Sequence, residues 1–199
     1  MNFLKKTLLF ISFIFIPPLC FSQDYNPSKI AEVETIESTF RQEISYTFST
    51  APFVCGGKMV FQKPDKIRWE YLYPDTAKSG FLFEKDKFIY WKTNAKGEKA
   101  IADLSKRRFA KNIFFAISSF LNMDMPALET IYDIELLNNM MVFYSKQKAG
   151  RIERIEVYFK KDIPAVSQII IFHKNGDKTT ISFDDVKINE VLPENAFNI

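Results

Sequence analysis

The chain of 199 residues is 47% hydrophobic and 26% charged, the make-up of a packed globular protein and not of a disordered one. Its 21 phenylalanines stand against only 6 glycines, which argues against a nucleotide-binding enzyme built on glycine loops and for a protein with much apolar surface to cover. With 27 basic and 24 acidic residues the charge is nearly balanced, and without a clustered positive excess neither nucleic acid nor an anionic surface is implied as a partner.

The first 22 residues, "MNFLKKTLLFISFIFIPPLCFS", carry Lys5 and Lys6 ahead of an apolar run from Leu8 to Ile16. The Pro17-Pro18 pair breaks the run, and Cys20 and Ser22 occupy the small-residue positions before Gln23. This is the pattern of a secretory leader cleaved after Ser22, since the run is well short of the ~20 residues a spanning helix needs. Lipidation at Cys20 fits less well, because Pro18-Leu19 stand where small residues are usual. The expected organisation is a leader, 1–22, followed by one domain, 23–199. Cleavage takes two lysines from the 27 basic residues, leaving 25 against 24 acids. It also leaves Cys55 as the one cysteine, so no internal disulfide can form; Cys55 is either buried and inert or a reactive thiol.

Along the mature chain, Ile30, Val33, Ile36, Phe40 and Ile44 fall within about a third of a helical wheel, which predicts a helix from Ser28 to Tyr46, capped by Ser28 or Asn26. Alternating strands are expected at Lys58–Lys63, Ile67–Tyr73, Gly80–Phe83, Phe88–Thr93 and Lys99–Ala102. A second helix, about Leu104 to Leu121, is apolar over more than half its wheel in its last two turns and basic at its start (Lys106, Arg107, Arg108, Lys111). It reads either as a core helix or as a plug over the mouth of an apolar cavity. Further strands follow at Ile131–Leu137, Met140–Gln147, Arg151–Lys160, Ala165–Lys174 and Lys178–Lys187, the last two joined by the turn signal Asn175-Gly176. Many strands with short connections imply a large antiparallel curved sheet or barrel.

In "FQKPDKIRWEYLYPDT", Phe61 to Thr76, Met59, Phe61 and Lys63 share one face, and Ile67, Trp69, Tyr71 and Tyr73 share a face of the next strand. Pro64 cannot donate to a sheet ladder and so marks a strand end. Lys63 therefore sits at a rim with its stem over apolar surface and its ammonium free to reach carbonyls or water. An enzyme is not indicated: His173, the only histidine, lies in an alternating strand, Asp184 and Asp185 point to opposite faces as a solvated edge would, and no catalytic triad, phosphate loop or metal-ligand cluster appears.

"GKMVFQKPDKIRWEYLYP", Gly57 to Pro74, resembles the segment G-x-hydrophobic-x-x-x-R/K-P-x-x-hydrophobic-x-W of the periplasmic outer-membrane lipoprotein carriers, the LolA-like family. "FRQ" (Phe40 to Gln42) resembles the F-x-Q closing that family's first helix, and "GDKTTISFDDVKINEVLPENAFNI" resembles its last strand and tail. The resemblance implies an incomplete, strongly bent antiparallel β-barrel, mainly β with α, whose concave apolar side is covered by helices. It implies a soluble, exported, monomeric periplasmic carrier with no cofactor or metal and no enzymatic activity. Its partners would be acylated lipoproteins, an inner-membrane ABC lipoprotein-releasing transporter and an outer-membrane acceptor.

On this pattern Lys63 matches the basic residue that locks the covering helices through their carbonyls. Lysine lacks the planar fork of the more usual arginine, which implies a weaker latch or one shared with Arg68. "FEKDKFIYWKTNA", Phe83 to Ala95, departs from the family in lacking a turn glycine and the Y-x-P that often follows, and Phe197 is not followed by a proline-containing tail. Strand phase gives as cavity candidates Phe48, Met59, Phe61, Trp69, Tyr71, Phe83, Phe88, Tyr90, Phe143, Val157, Phe159, Ile169 and Ile171. The plug helix adds Ile113, Phe114, Ile117 and Phe120, and each candidate has plain core packing as its alternative. Met123, Met125, Met140 and Met141 would line a pliable region or fill core. Carriage of another amphiphile, such as a glycolipid or lipidic pigment, and recognition of a partner protein through the apolar cleft are the competing functions.

Overall fold

The structure is a computed structural model that describes residues 27–74, 78–85, 87–107, 119–148 and 150–199. A five-residue helix, α1 (Pro27–Ala31), leads into β1 (Thr35–Ser45), β2 (Phe53–Gln62), β3 (Lys66–Tyr73), β4 (Ser79–Glu84), β5 (Lys87–Thr93) and β6 (Lys99–Asp103). After a long connection come α2 (Met125–Ile131), β7 (Tyr132–Leu137), β8 (Met140–Ser145), β9 (Ile152–Phe159), β10 (Val166–His173) and β11 (Lys178–Ile188).

The strands make one 11-stranded antiparallel sheet in the order β6-β5-β4-β3-β2-β1-β11-β10-β9-β8-β7. The chain walks outward from β1 to one edge at β6, crosses to the opposite edge at β7, and walks back until β11 pairs with β1. The two edges do not meet, so the sheet is an open, curved half-barrel. Residues 104–131 carry the chain from one edge to the other. Along this segment Leu104 and Leu121 pack on the β1–β5 half of the apolar wall, and Phe120, Met123 and Leu128 pack on the β7–β10 half.

The curvature has local causes. A bulged strand bends and twists more than a regular one, and register shifts occur between Glu37 and Thr39 on the central β1/β11 pair, between Gly56 and Gly57 on β2/β3, and twice on β9/β10. Asp185, opposite the first of these, takes φ 50°. The acidic pair Asp184-Asp185 is thus exposed at a bulge in the middle of the sheet and not on an edge strand.

The first predicted helix is corrected most heavily: only Pro27–Ala31 is helical and 35–45 is strand. Positions 36, 40 and 44 are spaced by four, which suits a helical stripe and a strand face equally; burial decides, with Ile36, Ser38 and Phe40 buried alternately in a Thr- and Ile-containing run. "FRQ" accordingly lies inside β1 and not at a helix end. The second helix is corrected at its start: Leu104 precedes a turn at 105–106, 119–122 are helical, and 108–118 fall outside the described residues. The short α2 was not anticipated. Asp124 caps it, its Oδ1 accepting from Ala127 N at 3.1 Å, with Pro126 in the first turn. The β10–β11 hairpin is present, but Asn175-Gly176 sits in a four-residue connection closed by Gly176 N to His173 O and His173 N to Asp177 O, both 2.9 Å, with Gly176 at φ 87°.

Candidate functional site

Cross-strand register assembles the concave wall row by row. One row runs Ile188, Ile36, Phe61, Ile67, Phe83, Phe88, with the Phe83 and Phe88 rings stacked at 4.2 Å between centroids. The next runs Ser38, Met59, Trp69, Phe81, Tyr90. A third joins Phe183, Phe40, Gly57 and Tyr71, and the Phe40 ring lies 4.1 Å from that of Trp69. On the other half, Ile181, Ile169, Val157 and Met141 form one row and Thr179, Ile171, Ile155 and Phe143 another. Phe120 closes on this half with its ring 4.8 Å from Phe143.

These rows bring Met59, Phe61, Trp69, Tyr71, Phe83, Phe88, Tyr90, Phe120, Phe143, Val157, Phe159, Ile169 and Ile171 together on or against one wall, Ile169 touching both of its halves. Burial separates them into two sets. Met59, Phe61, Phe83, Phe88, Phe143, Val157 and Phe159 are buried packing, whereas Trp69, Tyr71, Tyr90, Phe120, Ile169 and Ile171 remain partly accessible. Ile113, Phe114 and Ile117 lie outside the described residues. Phe48 does not join the wall: it is 84% exposed in the turn after β1 and stacks on Tyr46. Of the methionines, Met123 and Met141 are buried in the β7–β10 half of the core, and Met125 packs against it.

Sequence reasoning missed Phe81, although it alternates in phase with Phe83 on β4, and it missed Phe40 because β1 was read as helix. It also missed the polar insertions in the wall. Tyr71 Oη donates to Gln42 Oε1 at 3.1 Å. Burial in apolar surroundings and the neighbouring Cys55 sulfur push the Tyr71 phenol up to about 12, while the Trp69 indole N–H beside it works the other way. Cys55 is itself buried and free, and burial pushes its thiol up, the condition of an inert packing cysteine.

Lys63 closes β2 at the rim. Its ammonium donates to the carbonyl oxygen of Ala31, the last residue of α1, and lies 3.7 Å from the Glu34 carboxylate; its backbone N–H donates to Glu34 O at 2.9 Å. The segment so held spans the wall, because Ile30 packs into the β7–β10 half and Val33 into the β1–β5 half. The following residue holds a second cover: Pro64 O accepts from Asn122 Nδ2 at 2.8 Å. Both covering segments are therefore tied to the β2–β3 turn.

Arg68 is not at this turn. Alternation puts it on the convex face, where it pairs with Glu70 at 2.9 Å, lies over the Trp91 ring and donates to Ala196 O in the C-terminal tail at 3.2 Å. The tail and the neighbouring ends of β1, β2 and β3 also frame a cleft of about 410 Å³ lined by Gln62, Lys66, Glu190, Pro193 and Phe197. Among the described residues no group of three or more His, Cys, Asp or Glu is placed to hold a metal ion.

Residues 31–199 match the family described as outer membrane lipoprotein carrier protein LolA. The outer-membrane lipoprotein carrier protein of Pseudoalteromonas translucida is 20% identical over 195 residues, covering 96% of this chain and 90% of that protein. Among solved structures, an uncharacterised conserved protein from Thermus thermophilus superposes with a TM-score of 0.51 at 11% identity, over 87% of this chain and 89% of the other. A LolA superfamily protein from Nitrosomonas europaea gives 0.42 at 10% identity, over 86% and 95%. By the match over residues 31–199, the chain belongs to the LolA family of outer membrane lipoprotein carriers.

Proposed function

We propose that this protein is exported by its leader, works in the periplasm as a single domain of residues 23–199, and carries acylated lipoproteins from an inner-membrane ABC transporter to an outer-membrane acceptor. The observation that carries this reading is the concave aromatic wall with two covering segments anchored at one turn. An acyl chain left in water costs about 0.8 kcal/mol per exposed CH₂, so a carrier must bury it and later give it up. Trp69, Tyr71, Tyr90, Ile169 and Ile171 offer partly accessible apolar surface for the first task. Covers held by a few hydrogen bonds suit the second, since each such bond is worth only about 0.5–1.5 kcal/mol net.

In this reading Lys63 is the latch. When α1 and residues 119–122 lie down, the Lys63 ammonium and the Pro64 carbonyl hold them; when acyl chains enter, both bonds break and the covers lift. The testing experiment is size-exclusion chromatography of the purified protein mixed with a triacylated lipoprotein in detergent diluted below micelle formation. A soluble 1:1 complex is expected, and precipitation of the lipoprotein with the carrier eluting alone would overturn the proposal.

A further inference from the structure

The wall contains two buried polar atoms without a well-formed hydrogen bond among the described residues: Ser38 Oγ, and Trp69 Nε1, whose N–H lies beside Tyr71 Oη but is not aligned on it. They flank Met59 in one cross-strand row, on the same face. Ser38 is 2% exposed and stands opposite the β1/β11 bulge, where the sheet bends most centrally. Buried polar groups are normally paired, and an unmet one is costly. The adjacent pair on this wall obeys that rule, Tyr71 bonding Gln42. Alanine at 38 and phenylalanine at 69 would fill nearly the same space without the penalty, so the two donors need another explanation.

We propose, resting on the carrier reading above, that Ser38 and Trp69 donate hydrogen bonds to the carbonyl oxygens that join acyl chains to their head group. An indole N–H can only donate, so its partner must be an acceptor. In an acyl ligand the acceptors that reach an apolar cavity are ester or amide carbonyl oxygens; a pure hydrocarbon offers no acceptor, and an ether-linked chain only a weaker ether oxygen within the chain and no projecting carbonyl. The cavity is thereby selective for acyl linkages and not for greasy chains in general. The site also sets depth, because a carbonyl docked at this row leaves the hydrocarbon to run along Tyr90 on one side and Ile169 on the other.

The test is displacement of a fluorescent fatty-acyl probe from the full chain by a glycerol diester and by its dialkyl ether of matched chain length. The diester is expected to bind about tenfold more tightly, the worth of two modest net hydrogen bonds. Ser38→Ala should cut that preference about threefold and leave the ether's affinity unchanged. Trp69→Phe should cut the preference about threefold as well, read as the diester-to-ether ratio because the smaller ring also removes apolar contact from both ligands; if Trp69→Phe fails to fold, Ser38→Ala alone decides. Equal affinity for diester and ether in the native chain, or a preference that Ser38→Ala leaves intact, overturns the inference while the carrier reading stands. Failure of both ligands and of the probe to bind removes the carrier reading and this one with it.

Discussion

The ammonium of Lys63 bonds the carbonyl oxygen of Ala31 across 32 residues of sequence, joining the end of β2 to the end of α1. A charge-assisted bond to a helix's last carbonyl satisfies an otherwise orphaned acceptor, and here it fixes the segment that bridges the two halves of the apolar wall.

Replacing Lys63 by leucine should therefore leave the sheet intact while releasing α1. The expected loss of global stability is about 1 kcal/mol, with faster amide exchange at Val33, whose N–H donates to Ile30 O at 3.0 Å. Cargo transfer from carrier to acceptor should be impaired in a two-component assay. Unchanged exchange at Val33 together with unchanged transfer would remove the latch role.

Packing and ligand contact separate by mutation. Phe61 is fully buried, and Phe61→Ala should cost about 3–5 kcal/mol in denaturant unfolding. Tyr90 is partly accessible on the same wall, so Tyr90→Ala should cost only about 1 kcal/mol yet weaken acyl-probe binding roughly tenfold, the equivalent of about 1.4 kcal/mol of lost contact. Equal effects of the two substitutions on both readouts would contradict the division.

Gly57 occupies the row between Phe40 and Tyr71, and a Cβ there would overlap the Glu70 carbonyl oxygen and crowd the Tyr71 backbone. Backbone cannot yield as a side-chain tip does, so Gly57→Ala should destabilise by about 3 kcal/mol. A melting temperature within a degree of the native chain's would show that the β2–β3 pair is looser than its register indicates.

Tyr71 gives a pH prediction. Its folded pKa, about 12, is raised above the ordinary tyrosine value near 10, because the buried site favours the neutral phenol. The stability this contributes is complete below about pH 10 and is lost as pH rises from about 10 through 12. Alkaline unfolding should therefore begin at higher pH in Tyr71→Phe than in the native chain, and phenolate absorbance should lose a late-titrating tyrosine in Tyr71→Phe while Tyr132 and Tyr158, also pushed up by burial, still titrate late. Superimposable alkaline unfolding curves would count against it.

Much of this arrangement could be read from residue order, and the exceptions have physical causes. Alternation, short apolar runs such as Ile169–Phe172 and turn signals between them located ten strands to within a few residues. β1 escaped because Ile36, Phe40 and Ile44 fit two periods at once, and because its intervening inward positions, Ser38 and Gln42, are polar. Arg68 was legible: alternation with Trp69 already places it on the opposite face. The Asp124-Met125-Pro126 start of α2 was legible too, as a cap followed by a first-turn proline. The Asn122 to Pro64 bond was not, since it joins residues 58 apart that only the edge-to-edge crossing brings together.

If the concave wall holds acyl chains belonging to a protein cargo, that cargo should leave the cell bound to the chain. Native mass spectrometry of the chain purified from the periplasm of its own host, with bound species identified after release, tests it most directly. An adduct whose mass is that of an acylated protein is expected. Recovery only of a free glycolipid or pigment, or of an empty chain with no affinity for an acyl probe, would contradict it.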